Sequence, residues 1–347
     1  MDILTGCFGQ TPFLSSWKNS AMKHLSILVP NGTGNNLSSI VGAYKIFMRA
    51  NDYWVQKGNK PMFVIQLAGL SKTVKFHDGL FTVKPHTTLP KIDRTDLIII
   101  PSLNHDFGQT LKFNKPMVDW IVAQYKAGAE IASICTGAFL LASAGLLDGK
   151  NCSTHWSAAN SFREMFPRVT LQPDRLITDE DGIYTNGGAY SFLNLMIYLV
   201  EKYFDRQTAI YCAKVFQIEM DRNTQSEFMI FTGQKKHDDG MVQKAQAYIE
   251  KNLDVRITIE ALSSRFNVGR RNFDRRFIKA TGNTPLEYTQ RVKIEAAKKA
   301  FESNRKTIVE VMYEVGYSDA KAFREVFRKI TGMSPLEYKG RYYKDVV

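Results

Sequence analysis

Two stretches of this 347-residue chain put reactive or recognition side chains at telling spacings. The first is EIASICTGAFLL, residues 130–141. Its β-branched start reads as a strand and its alanine- and leucine-rich end as a helix. Cys135 sits at the junction, and Thr136 and Gly137 permit a sharp turn that would lift the sulfur above a sheet. That is a nucleophile elbow with cysteine in place of serine. The helix that follows would bring its amino-terminal dipole to the sulfur and lower its pKa. The same residues equally suit a small buried cysteine in a strand-to-helix turn. The second stretch is RRNFDRRF, residues 270–277. Phe273 and Phe277 mark the buried side of a helix, and Arg270, Arg271, Asn272, Asp274, Arg275 and Arg276 face outward around them. Arginine and asparagine read guanine and adenine edges bidentately in the major groove. A solvated basic helix face is the alternative.

The elements that must position these groups follow from pattern. TGNTPLEY begins at Thr281 and TGMSPLEY at Thr331, an offset of 50. The same shift lays Glu260 on Glu310, Phe273 on Phe323, Phe277 on Phe327 and Lys279 on Lys329, so a register without a gap is expected. Two related units therefore lie in tandem, over about residues 257–288 and 307–338. Each reads as helix, turn, helix, stop. In the first, Ile259, Leu262 and Phe266 make the first stripe and Asn267, Val268 and Gly269 the turn. Phe273, Phe277 and Ile278 line the buried side of the second helix, and Gly282 ends it. Thr284 and Pro285 start a long helix that runs to about Glu302. In the second unit Gly316 and Tyr317 supply the turn. An arginine-rich face on the second helix of such a unit sits where that motif reads bases.

Charge agrees. The net charge is +12. From 241 to the end there are 22 Lys and Arg against 13 Asp and Glu, so most of the excess sits in the last third. That points to a polyanion, with nucleic acid the usual one, although a solvated surface has the same composition. The four cysteines (Cys7, Cys135, Cys152, Cys212) are scattered without metal or disulfide spacing, so no metal and no cofactor is expected. No apolar run reaches a membrane span and the amino terminus is a poor signal peptide, which favours a cytoplasmic chain.

Residues 241–345 resemble the AraC family of transcription regulators, with paired helix-turn-helix units, Arg291 and Ala296-Ala297 in the connecting helix, and the close VGYSDAKAFREVFRKITGMSPLEY. The resemblance implies that one helix of each unit enters successive major grooves of double-stranded DNA. It carries base reading to Arg270, Arg271, Asp274 and Arg275, and to Ala320, Lys321, Arg324 and Glu325. The chain departs from the pattern at Glu325, where the family usually has arginine. A carboxylate there repels phosphate, so the first unit is expected to supply most of the affinity.

Residues 24–30 (HLSILVP), 63–67 (FVIQL) and 96–101 (DLIIIP) read as strands, and 37–49 and 116–126 as helices. The alternation implies an α/β domain with a mostly parallel sheet, whose ligands sit at the carboxyl ends of the strands. ICTGAFLLASAGLLDGKNCSTHW and YTNGGAYSFLNLMIYLVEKYF resemble the PfpI-like branch of the class I glutamine amidotransferase-like superfamily, and more narrowly the GlxA-type regulators. A flavodoxin-like α/β domain plus an all-α domain is the fold this implies. The expected division is an extension over 1–22, a ligand-sensing and dimerisation domain over 23–231, a linker over 232–240 and the DNA-binding domain over 241–347.

Hydrolases of that superfamily pair the elbow cysteine with a histidine and often a carboxylate. Here the first strand-to-helix loop, NGTGNNLSS, has no carboxylate, and the glycine pair of relatives is replaced around Ser102. Cys135 and His155 are thus read as a vestigial pair rather than catalytic residues. Asn31, Asn36, Ser102, Cys135, Thr136 and His155 are read as the pocket of an unknown small-molecule effector, which would reorient the domains within a homodimer. A cysteine hydrolase or amidase fused to a DNA-binding module, and a front domain serving dimerisation alone, are the alternatives. If the first unit carries the reading face, Arg271→Ala and Arg275→Ala will each abolish the specific shift in a gel-retardation assay. Unchanged binding would remove that assignment.

Overall fold

The computed structural model describes residues 22–343, apart from 33, 104, 105, 236 and 304. The extension read over 1–22 falls outside the described residues except for Met22, which directly precedes the first strand. In chain order the first domain contains β1 (Lys23–Val29), α1 (Leu37–Gln56), β2 (Phe63–Gly69), β3 (Val74–Phe76), β4 (Phe81–Val83), β5 (Thr87–Thr88) and β6 (Leu97–Ile100). It continues through α2 (Phe107–Phe113), α3 (Lys115–Lys126), β7 (Glu130–Ile134), α4 (Ala138–Ser143), β8 (Asn151–Cys152) and α5 (Ala159–Met165). Then follow β9 (Thr170–Leu171), β10 (Ile177–Glu180), β11 (Ile183–Asn186), α6 (Phe192–Tyr203) and α7 (Arg206–Phe216).

Seven strands form one sheet in the order β10-β11-β7-β6-β1-β2-β5. The β10–β11 pair is antiparallel and the pairs from β11 to β5 are parallel. Parallel sheets are covered on both faces, and the alternation within β1 shows how. Leu25, Ile27 and Val29 pack with residues of α1, α6 and α7. Leu28 points the other way, with Ile98, Ile100 and residues of α3, α4 and α5. The apolar strand runs of the sequence follow from that double coverage. The expectation of a mostly parallel α/β domain with helices on both faces is borne out.

After α7 the chain turns through Gln217 at φ 54° and crosses back over the sheet end as a strap. Leu176 donates its amide to Asn223 O at 3.3 Å, and the Gln225 amide to Asp174 O at 3.0 Å. The buried Gln225 side chain donates to Thr154 O at 2.9 Å and Pro173 O at 2.6 Å. It fits because Gly187 has no side chain: a Cβ there would lie 2.1 Å from Gln225 Nε2.

The second domain is helical: α8 (Gly240–Lys251), α9 (Ile259–Arg265), α10 (Arg270–Thr281), α11 (Pro285–Ser303), α12 (Ile308–Glu314), α13 (Ala320–Thr331) and α14 (Pro335–Tyr342). It has two cores. Val242, Ile249, Leu262, Phe273, Phe277 and Tyr288 fill the first. Ile294, Phe301, Val311, Phe323, Phe327 and Tyr338 fill the second. Helix α11 serves both, closing the first with Tyr288 and opening the second with Ile294, Ala297 and Phe301. The duplication extends to polar detail. Tyr288 OH donates to Glu250 at the end of α8 (2.8 Å), as Tyr338 OH does to Glu302 at the end of α11 (2.5 Å). Thr281 and Thr331 each bond back to the carbonyl four residues earlier, at 2.8 Å. Gly282 and Gly332 then end the helices at φ 69° and 78°.

The structure corrects the sequence reading of this domain in two places. The register is not continuous. Thr258 and Thr307 cap α9 and α12, an offset of 49, and the left-handed residues of the two turns, Asn267 and Gly316, keep it. The offset becomes 50 only at α10 and α13, because the second turn holds one more residue. Glu260 is therefore not the counterpart of Glu310, which closes a capping box with Thr307. Ile278, read as a core residue, is 44% exposed, since the turn of helix between Phe273 and Phe277 already fills the core side.

Lys293 of α11 joins the units, donating to Val255 O at 3.0 Å before α9 and to Gly316 O at 3.4 Å in the second turn. Because Phe277 and Phe327 are equally buried at equivalent sites, alanine at either should cost about 3–5 kcal/mol, as cavities in packed cores do. Urea denaturation checks this. A loss below about 1 kcal/mol at one of them would mean that its core is not packed as described.

Candidate functional site

The carboxyl ends of β1, β6 and β7 meet at the elbow. Cys135 has φ 55°, a left-handed conformation that costs energy in a non-glycine residue and persists only where packing enforces it. The enforcement is visible next door: a Cβ on Gly137 would lie 2.8 Å from Pro101 O and 3.0 Å from Ile100 O. A larger residue there could not approach β6. Around the cysteine runs a closed set of hydrogen bonds. Ser102 and Thr136 share one between hydroxyls at 3.0 Å, and the Leu103 amide donates to Thr136 Oγ1 at 2.9 Å. The Ser102 amide donates to Ser39 Oγ at 3.1 Å, and Thr154 Oγ1 donates to Cys135 O at 2.9 Å. From sequence Ser39 is only one of the serines that stand in place of a carboxylate in the first loop, and Thr154 is not singled out. The pair of serines at 38–39 was the available signal for the first, whereas nothing local marks Thr154.

The expected dipole effect on Cys135 is overturned. Cys135 is 3% exposed. Burial pushes its thiol pKa up, and hydrogen bonds from Ser102, Thr136 and the His155 backbone offset only part of that. His155 lies beside the elbow through its backbone amide. Its imidazole Nδ1 is bonded to Ser157 Oγ at 2.7 Å and caps the turn at Trp156–Ala158.

Of the six residues read as an effector pocket, Ser102, Cys135 and Thr136 are brought together and are buried. Asn36 joins them through its amide, which donates to Ser102 O at 3.0 Å. Its side chain caps α1. Asn31 is half-buried and tied to Asn114 at the start of α3, with its amide donating at 2.8 Å. Asn36 also lines an apolar cavity of about 550 Å3 with Leu37, Val41, Tyr190 and Phe192.

The second candidate surface is the outer side of α10 and α13. Arg270, Arg271 and Arg275 are exposed and Asp274 is half-buried. Arg270 is engaged within the protein by Glu260 and by Asp274. Arg275 donates to Asn272 Oδ1 at 2.9 Å. Arg276, read as part of the outward face, instead forms a two-pronged bond to Asp239, at 2.8 and 2.6 Å. It holds that carboxyl below the usual range and ties α10 to the cap of α8. On α13, Lys321, Arg324 and Glu325 are exposed and Ala320 is half-buried.

The chain is similar to known proteins. Residues 262–341 match the helix-turn-helix domain and residues 47–202 the DJ-1/PfpI family. The HTH-type transcriptional regulator GbdR of Pseudomonas aeruginosa is 29% identical over 226 residues, 63% of this chain and 60% of that protein. The HTH-type transcriptional regulator GlxA of Rhizobium meliloti is 26% identical over 223 residues, 62% of this chain and 67% of its own. The match to GbdR thus spans about three fifths of that protein's length. A solved structure from Vibrio parahaemolyticus, described as a candidate transcriptional regulator, is 25% identical with a TM-score of 0.50, over 56% of this chain and 98% of that one. The two matches lie side by side along the chain: a DJ-1/PfpI-like domain followed by a helix-turn-helix domain. In that pairing the chain is similar to the GbdR and GlxA regulators.

A buried, protonated thiol resists alkylation. At pH 7.5 iodoacetamide should leave Cys135 unmodified over a period that fully labels the urea-denatured chain, as read by peptide mass. Rapid labelling of the native chain at pH 6–7 would overturn the account of its burial.

Proposed function

We propose that the chain is a sequence-specific, DNA-binding transcription regulator whose α/β domain does no catalysis and controls the helical domain. The observation that carries this is the pair of equivalent helices α10 and α13, set by one shared helix, α11, and presenting exposed basic side chains. The regulators it resembles support the same reading. Helices so paired would enter successive major grooves of double-stranded DNA. In the first unit Arg271 and Arg275 are the readers. Arg270 and Asp274 hold each other and contribute less, because Arg270 must first leave Glu260. Ala320, Lys321 and Arg324 are the second unit's contribution, with Glu325 beside them.

Several features support a controlling rather than catalytic α/β domain. Hydrolysis at Cys135 needs an ionised sulfur that substrate can reach, and burial opposes both. Control by a small-molecule effector requires that the effector bind one domain arrangement better than another. A homodimer would place two such pairs of helices on adjacent half-sites. Action on DNA belongs in the cytoplasm, and no helix among the described residues is long and apolar enough to cross a membrane. The division at residues 231 and 241 also suits this function. Residues between them, such as Gln234, His237 and Asp239, bond to α8 or cap it.

Glu325 supplies the test. On DNA its carboxylate faces phosphate, so Glu325→Gln should tighten binding by about twofold to tenfold and Glu325→Arg should also steepen the dependence on salt by about one unit of slope. Fluorescence anisotropy between 50 and 200 mM salt, on a site selected from random sequences, measures both. Weaker binding by Glu325→Gln would instead make Glu325 a base contact. Absence of any site-selective binding would remove the regulator reading.

A further inference from the structure

A cleft of about 320 Å3 opens between the two domains. Trp156 and Arg163 line it from the α/β side. Asn283 after α10, Arg291 on α11 and Thr331 at the end of α13 line it from the helical side. Its charged groups divide into two kinds. Glu295 and Lys298 neutralise each other at 2.8 Å and are further bonded to the backbone between the domains. Arg163 and Arg291 instead repel each other, although Glu287 attracts Arg291 and Arg163 donates to Asn160 Oδ1 at 3.5 Å. Arg163 is exposed to solvent, and the repulsion from Arg291 outweighs the attraction from Asp174. A cavity toward which two mutually repelling guanidinium groups are turned gains stability from whatever neutralises both.

The geometry points to a binding site for a small dianion, either a dicarboxylate or a phosphate monoester, bridged by Arg163 and Arg291 and backed by the Trp156 ring. Arginine suits both groups because its fork meets two oxygens at once. The volume is at the small end for metabolite sites. This inference rests on the regulator reading for its consequence and not for its chemistry. The ligand joins α5 of the first domain to α11 of the second, beside the carboxyl ends of both candidate recognition helices. Filling the cleft therefore favours one setting of α10 and α13. The turn at Trp156–Ala158 forms part of the wall and is capped by His155, whose backbone amide bears on Cys135, so elbow and cleft share one element.

Isothermal titration calorimetry on the full chain tests this, with succinate and inorganic phosphate as probes and ionic strength held constant with sodium chloride. Saturable binding is expected for at least one probe, and which one binds decides between the two ligand classes. Arg163→Gln should weaken that binding at least tenfold and Arg163→Lys less. Arg163→Gln should leave DNA affinity without the probe unchanged, while removing the fivefold or greater change in DNA affinity that the probe causes in the wild type. No saturable binding of either probe, or equal affinity in Arg163→Gln, would overturn the site. A chain that binds the dianion but not DNA would instead contradict the regulator reading and leave the site standing.

Discussion

Glu295 and Lys298 lie one turn apart on α11, with side chains 11% and 6% exposed. Two charges taken out of water are costly unless each other's attraction and further hydrogen bonds replace the lost hydration. Here the replacement comes from outside the helix. The Phe231 amide donates to Glu295 at 3.1 Å and Lys298 donates to Met229 O at 2.5 Å. The segment leaving the α/β domain is thereby made part of the solvation of a buried pair. Gln225, a few residues earlier, is anchored at Thr154 and Pro173 of the α/β domain. Glu227 adds ion pairs to Arg222 and, from α14, to Arg341. The two domains are joined by a continuous run of bonds rather than by a slack tether, and any control of DNA binding by the first domain depends on that run.

The same helix imposes the second constraint. Because α11 ends one core and begins the next, and Lys293 bonds to loops of both units, α10 and α13 cannot be repositioned independently. The duplication is close in its cores and caps but unequal on its outer face. One unit offers Arg271 and Arg275, whereas the other offers Lys321 and Arg324 beside a carboxylate. The extra residue in the second turn adds a further difference in how that helix is presented. A shift transmitted through α11 would therefore act on two outer faces of different charge.

Much of this was legible in the sequence. Phenylalanines at helical spacing located both cores of the helical domain, and the apolar strand runs predicted a sheet covered on two faces. The elbow was legible because strand, cysteine, small residues and helix occur in one contiguous stretch. What was not legible depended on partners distant in sequence. Arg276 read as an outward base only until Asp239, 37 residues away, claimed it. The polar run at 232–240 read as an interdomain linker by composition, which could not show that its polar groups bond to α8 and to the turn after α10. Burial of Cys135, which reversed the expected shift in its acidity, depends on Ser102 and residues near His155 arriving from two other segments. The one-residue slip in the repeat was hidden because the two strongest matches, at the phenylalanines and at TGxxPLEY, both lie after it.

The central claim is that the helical domain is energetically continuous with the α/β domain through α11 and the strap. Amide hydrogen exchange on the full chain, with and without saturating specific DNA, measures this directly. Continuity predicts that DNA slows exchange not only in α10 and α13 but also at the amides that bond the strap and the α/β domain together, Gln225 of the strap and Leu176 beside β10. Protection confined to residues 240–343, with the strap exchanging at its DNA-free rate, would contradict it.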